Sequence, residues 1–79
     1  MYFKEAVSTR IIELCKENNI TPNKLAELST VPPSTLLALL ANKVENPSST
    51  VIYKICKVFK INLKDFYKSD LFEFENLED

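Results

Sequence analysis

The chain contains no glycine, no histidine and no tryptophan. Without glycine there can be no Gly-rich phosphate-cradling loop. Any helix end that needs left-handed backbone must use a residue that adopts it less readily. Without histidine, and with only Cys15 and Cys56 as thiols, a four-ligand structural zinc site has too few ligands. Each cysteine lies among apolar residues at helical spacing and reads as a small buried hydrophobe. A disulfide or redox sensor is the alternative, which a reducing cytosol disfavours. No pair of carboxylates falls in an evident cleft, so nothing resembles an acid–base or nucleophilic constellation. The sequence points to no enzyme, no metal and no cofactor. There is no run of about 18 apolar residues that could span a membrane. The opening MYFKEAVSTR mixes charges among its apolar residues and lacks a signal-peptide core, so a cytoplasmic location is expected.

What remains is a chain of 79 residues, 46% of them hydrophobic, enough for one small domain with a helical core. Net charge is −1, but its distribution is uneven. Residues 1–68 carry all ten Lys and Arg against six acids, a net +4, while residues 69–79 carry five acids and no base. The division expected is a mildly basic body, 1–68, followed by an acidic and aromatic tail, 69–79.

Apolar periodicity predicts five helices. The first covers about 4–18, with Phe3, Val7, Ile11, Leu14 and Cys15 on one face. The second covers about 22–29, capped by Thr21 with Pro22 at its first position. The third covers about 33–41 and the fourth about 48–59, where Ser48 or Ser49 can cap and Val51, Ile52, Ile55, Cys56 and Phe59 face inward. A short fifth, 63–67, follows a cap at Asn62. Leu25, Ala26 and Leu28 give the second helix an apolar stripe; Val31, Leu36, Leu39 and Leu40 do the same around the third. The break between them falls at Ser29-Thr30, and Pro32-Pro33 can only begin a helix. Two short helices joined by such a tight turn form a helix-turn-helix.

Several motifs occur in order: Leu25-Ala26, Val31, Ser34-Thr35-Leu36, Leu39, Asn42-Lys43, Asn46-Pro47, Ile52-Tyr53-Lys54-Ile55-Cys56 and Ile61-Asn62-Leu63-Lys64-Asp65-Phe66-Tyr67. Together, over roughly residues 7–67, they resemble the phage lambda repressor and Cro family, also called the xenobiotic response element family. The resemblance implies an all-α, five-helix lambda-repressor-like domain. It also implies sequence-specific binding of double-stranded operator DNA by a small transcriptional regulator of prophage or bacterial type, acting as a homodimer.

Carried over position by position, the resemblance makes Pro33, Ser34, Leu37 and Ala38, with Ala41 nearby, the residues facing bases. Thr21, Asn23, Pro32, Thr35 and Lys43 would meet phosphates. Relatives often carry a phosphate-binding Gln where this chain has Pro22, which has no side-chain donor. The base-facing set is poor in hydrogen-bonding groups: only Ser34 offers a donor, and Leu37, Ala38 and Ala41 can offer apolar contact to thymine methyls. Low-specificity binding through backbone contacts and thymine methyls, specificity supplied by partner subunits or by DNA shape, or conversion of this surface into a protein-binding face all remain open. The second reading is therefore a protein-interaction module on the same fold, such as a prophage accessory protein or toxin–antitoxin component. Leu37 is the informative residue, because core spacing does not require it inside. Lys54, Lys57, Lys60, Lys64 and Lys68 read as a solvated surface, and Arg10 as pairing with an acid or meeting DNA.

Relatives use glycine to leave the first helix, to make the inter-helix turn and to leave the third helix. Those places correspond to Asn19, Thr30 and Asn42, and all three are expected to be left-handed. Asn tolerates that backbone; β-branched Thr30 does not, which predicts either strain there or an altered turn. In the tail, Leu71, Phe72 and Phe74 are candidates to cover the first and fifth helices or a neighbour in a dimer. A sharper possibility is that the acids of the tail compete with DNA for the basic face.

Overall fold

A computed structural model of the chain describes residues 1–78; Asp79, the last acid of the tail, lies outside the described residues. Five helices follow one another: α1 Phe3–Glu17, α2 Pro22–Leu28, α3 Pro33–Leu40, α4 Ser49–Phe59 and α5 Leu63–Tyr67. Two 3₁₀ turns, Asp70–Phe72 and Phe74–Asn76, complete the chain. A parallel bridge pairs Tyr2 with Glu78, so the tail returns to the start of α1. No helix among the described residues is long and apolar enough to cross a membrane.

Local chemistry sets each helix start. Thr21 accepts from the backbone N–H of Lys24 at 3.1 Å, and Pro22 occupies the first position of α2. Ser48 accepts from Thr50 N–H at 3.1 Å. Asn62 and Asp65 cap α5 reciprocally, Asn62 Oδ1 accepting from Asp65 N–H at 2.8 Å. Each satisfies a donor that a helix start leaves without a partner.

Three helix ends share one solution. Asn19, Asn42 and Lys60 stand at φ 56°, 60° and 58°. In each case the next residue's N–H reaches back into the helix: Ile20 to Cys15 O at 3.0 Å, Lys43 to Ala38 O at 2.9 Å and Ile61 to Cys56 O at 3.1 Å. This is the Schellman closure, usually made with glycine. Thr30 corrects the expectation: it is not among the left-handed residues. α2 ends differently. Ser29 turns to extended backbone, φ −84° and ψ 162°, and its hydroxyl accepts from Val31 N–H at 3.3 Å. A side-chain turn of this kind reverses the chain without a left-handed residue, so Thr30 carries no strain.

The core joins Val7, Ile11, Leu14 and Cys15 of α1 to Leu25, Val31, Leu36 and Leu39 of the helix-turn-helix and to Ile52, Ile55, Cys56, Phe59 and Phe66 of α4 and α5. Burial raises both thiols above their ordinary pKa, the Arg10 charge partly opposing this at Cys56. Phe3 and Leu28 depart from the expected stripes, at 40% and 53% exposed. Phe3 lies one turn before the buried run and stacks instead on Tyr67, with ring centroids 6.4 Å apart. Leu28, the last residue of α2, has turned past the core side. Val51 is only partly buried at the core margin.

Arg10 resolves an open alternative. Its Nε donates to Phe66 O at 2.8 Å and its Nη2 to Asp65 O at 3.0 Å, with Glu13 at 3.8 Å. A cation on the last carbonyls of α5 complements the negative end of that helix and locks α5 to α1.

The tail packs. Phe72 sits edge-on to Tyr67 at 4.9 Å and near Phe66 at 6.0 Å; Leu71 is partly buried. Phe74 does the opposite and is 94% exposed. The first 3₁₀ turn lies against α1, and Glu78 N–H donates to Met1 O at 2.8 Å. The tail is therefore seated on the α1–α5 side of the molecule.

Candidate nucleic-acid interface

The position of α3 follows from what it buries. Leu36 and Leu39 are 0% and 2% exposed and hold the helix against α1 and α2. Val31 pins the turn beneath it. A polar link fixes the far end: Ser8 Oγ lies 2.6 Å from Asn42 Oδ1 and 3.0 Å from Glu5 O, one hydroxyl proton serving both. Lys4 pairs with Glu45 in the loop that follows. At 100° per residue, burying 36 and 39 turns the opposite face outward. Pro33, Ser34, Leu37 and Ala41 are exposed there, while Thr35 and Ala38 are half-buried on its flanks. Leu37, 52% exposed, stands at the centre of this face.

Hydrogen-bonding capacity is sparse. Pro32 O accepts from both Thr35 N–H at 3.0 Å and Leu36 N–H at 3.1 Å. Pro32 and Pro33 have no N–H to give. Among the described residues Ser34 therefore supplies the one backbone donor left open in the first turn of α3, beside its own hydroxyl. Pro32 and Pro33 can contribute only apolar contact. At the start of α2, Thr21 and Asn23 are exposed. Thr21 Oγ1 is engaged as an acceptor, which leaves its proton for an outside acceptor. Lys43 is exposed just past α3 and has no ion-pair partner among the described residues. Lys24, by contrast, is paired with Glu27 at 3.3 Å.

Sequence reasoning set Lys54 and Lys57 aside as surface. Packing of α4 on α2 brings them to a shallow cleft of about 220 Å³ beside the turn, lined also by Leu28, Ser29, Thr30 and Val58. Lys57 lies over the Tyr53 ring, 5.7 Å from its centroid. Their 3-residue spacing gave them one helix face; only the tertiary fold places that face beside the turn.

The arrangement has known counterparts. The family description "Cro/C1-type HTH DNA-binding domain" matches residues 10–75. Among solved structures, the chain is similar to the prophage Lp1 protein 11, with 31% identity, a TM-score of 0.81, and 89% of this chain and 93% of that one covered. It shares a fold with the clp gene regulator ClgR from Corynebacterium glutamicum, at 23% identity and a TM-score of 0.72, covering 84% of this chain and 69% of that one. No curated protein matches. A domain match across most of the chain, on a helix-turn-helix whose second helix presents an open face, establishes that the chain belongs to the Cro/C1-type helix-turn-helix DNA-binding family.

Proposed function

We propose that this protein is a transcriptional regulator of repressor type that binds duplex operator DNA as a homodimer, with α3 in the major groove. In this reading Pro33, Ser34, Leu37, Ala38 and Ala41 face the bases, and Thr21, Asn23, Pro32, Thr35 and Lys43 border the phosphates. The observation that carries it is the Cro/C1-type domain match over residues 10–75 on a helix-turn-helix whose α3 holds an open face, with Leu37 52% exposed on it. An apolar side chain held in that place suits a thymine methyl. With Ser34 as the single polar reader, sequence discrimination would rest on thymine methyls and DNA deformability more than on bidentate hydrogen bonds. With few free cations at the face, the salt dependence would be shallow for a DNA-binding protein.

The same apolar face supports a second reading, a protein-interaction module that has kept the fold, because an exposed leucine flanked by alanines also suits helix packing. Selection from a random duplex pool at low and moderate salt separates the two. An enriched two-fold-related site rich in A·T supports the regulator, and Leu37→Ser should then abolish the enrichment without unfolding the protein. Well-folded protein that enriches no sequence refutes the regulator reading and favours the module.

A further inference from the structure

Phe74 is a large apolar side chain on an ordered turn, yet it is 94% exposed. It is held out by anchors on both sides. Phe72 is packed against Phe66 and Tyr67, and Glu78 is bridged to Tyr2. Asn76 Nδ2 donates to Asp70 O at 2.7 Å across the loop. Glu73 and Glu75 are the neighbours of Phe74 in sequence, and both are exposed. The result is an exposed aromatic knob on an acidic stretch of chain. Elsewhere on the molecule is a surface of opposite character. The cleft beside the turn is lined by Leu28 and Val58 and bordered by Lys54 and Lys57, with Leu28 and Tyr53 53% and 52% exposed. Neither lysine has an acidic partner among the described residues.

We propose that Phe74, with Glu73 and Glu75, docks into the cleft between α2 and α4 of a second copy of this chain. Lys54 and Lys57 of that copy would meet the two carboxylates, and Leu28 and Val58 would receive the ring. The knob does not fill its own cleft: Phe74 is 94% exposed, it is not among the residues that line the cleft, and the turn before it is seated on α1. A reciprocal pair, each knob in the other's cleft, closes as a two-fold dimer. An aromatic side chain buries about 150–250 Å², so two such contacts stay well below the roughly 1,600 Å² of a standard interface. Self-association is therefore weak and grows visible only at high concentration. The inference rests on the homodimer part of the reading above and assigns its surface, but it does not depend on DNA recognition.

Sedimentation velocity of the full chain, from roughly 10 μM to 1 mM to cover weak contacts, tests it. Association should rise with concentration and weaken with salt. Phe74→Ser, fully at the surface, should weaken it about tenfold or more, with unchanged circular dichroism. Lys57→Glu, also exposed, should weaken it similarly, as should Glu73→Lys/Glu75→Lys. Mixing the two charge-reversed proteins should restore a mixed dimer. A chain that stays monomeric throughout, association indifferent to Phe74→Ser, or a mixture that fails to recover overturns the proposal. An enriched operator alongside any of those results leaves the regulator reading standing. Recovery in the mixture with no enriched operator does the reverse.

Discussion

Replacing Lys60 and Thr30 by glycine in parallel should move stability in opposite directions. Lys60 ends α4 at φ 58° and ψ 39°. A side chain with a Cβ costs roughly 1–2 kcal/mol in that conformation. Glycine removes this cost but enlarges the unfolded ensemble, losing roughly 0.5–1 kcal/mol. The cation lost beside the helix end is exposed and is worth about 0.3 kcal/mol. The balance for Lys60→Gly is a gain of about 0.5 kcal/mol, or roughly 2–4 °C in Tm for a domain of this size. Thr30 is not left-handed, so Thr30→Gly has nothing to relieve and should lose about 0.5–1 kcal/mol. Asn42→Gly tests the same logic with a side-chain contact added. It keeps the left-handed backbone but loses the Ser8 contact at 2.6 Å, and should cost about 1 kcal/mol. Urea titration with an unchanged m-value, together with thermal melts, reads all three. If Lys60→Gly lowers stability as much as Thr30→Gly does, the assignment of backbone strain to the end of α4 is wrong.

Other outcomes follow from the same geometry. Arg10→Ala should destabilise the fold by about 1.5–3 kcal/mol in urea titration, since it removes two charge-assisted bonds to the carbonyls of α5; a neutral result would refute the clamp. Lys43→Gln should reduce the slope of log affinity against log salt by about 0.9 and leave sequence preference alone, as measured by titration on any enriched site. Burial raises the thiols of Cys15 and Cys56 above the free value of 9.0, so the folded state holds those protons longer than the unfolded chain does. The thiols' contribution to stability should be constant well below the pKa of a free thiol and fall as pH rises through and above it. Native protein should also react with a thiol reagent far more slowly than urea-unfolded protein. Rapid native labelling, or stability that rises above pH 9, would contradict this.

How legible a feature was in the sequence depended on how local its cause is. The caps at Thr21, Ser48 and Asn62 act over two or three residues; residue type and position were enough to name Thr21 and Asn62, and to narrow the cap of α4 to Ser48 or Ser49. Asn19 and Asn42 were readable as left-handed because relatives place glycine there and Asn tolerates that backbone. Lys60 gave no such signal, since nothing in a lysine advertises left-handed backbone. Thr30 misled because the turn was inferred from where relatives place glycine, whereas Ser29 bends this chain with its own hydroxyl. The clamp from Arg10 to Phe66 O spans 56 positions and left no local trace. In the tail, 3₁₀ geometry lacks the long periodicity that assigns faces, so Phe72 and Phe74 looked equivalent until one was found packed and the other exposed. The outward face of α3 was legible from its 3.6-residue period. The approach of Lys54 and Lys57 to the turn was not, because it depends on how α4 lies across α2.

The seating of Phe72 gives the tail two roles that a charge count would miss. It carries the acids and it roofs the Phe3–Phe66–Tyr67 cluster. Such a strap, two short 3₁₀ turns and one bridge, is the unit expected to open first, at a free energy below that of global unfolding. Hydrogen exchange should therefore show the amides of residues 70–78 losing protection ahead of α1 and α4. Truncation at Lys68 then changes more than electrostatics: it produces the open state permanently and presents bare aromatic surface to solvent. A truncated chain that binds DNA differently has to be compared with one in which the acids of the tail are neutralised while Phe72 is kept.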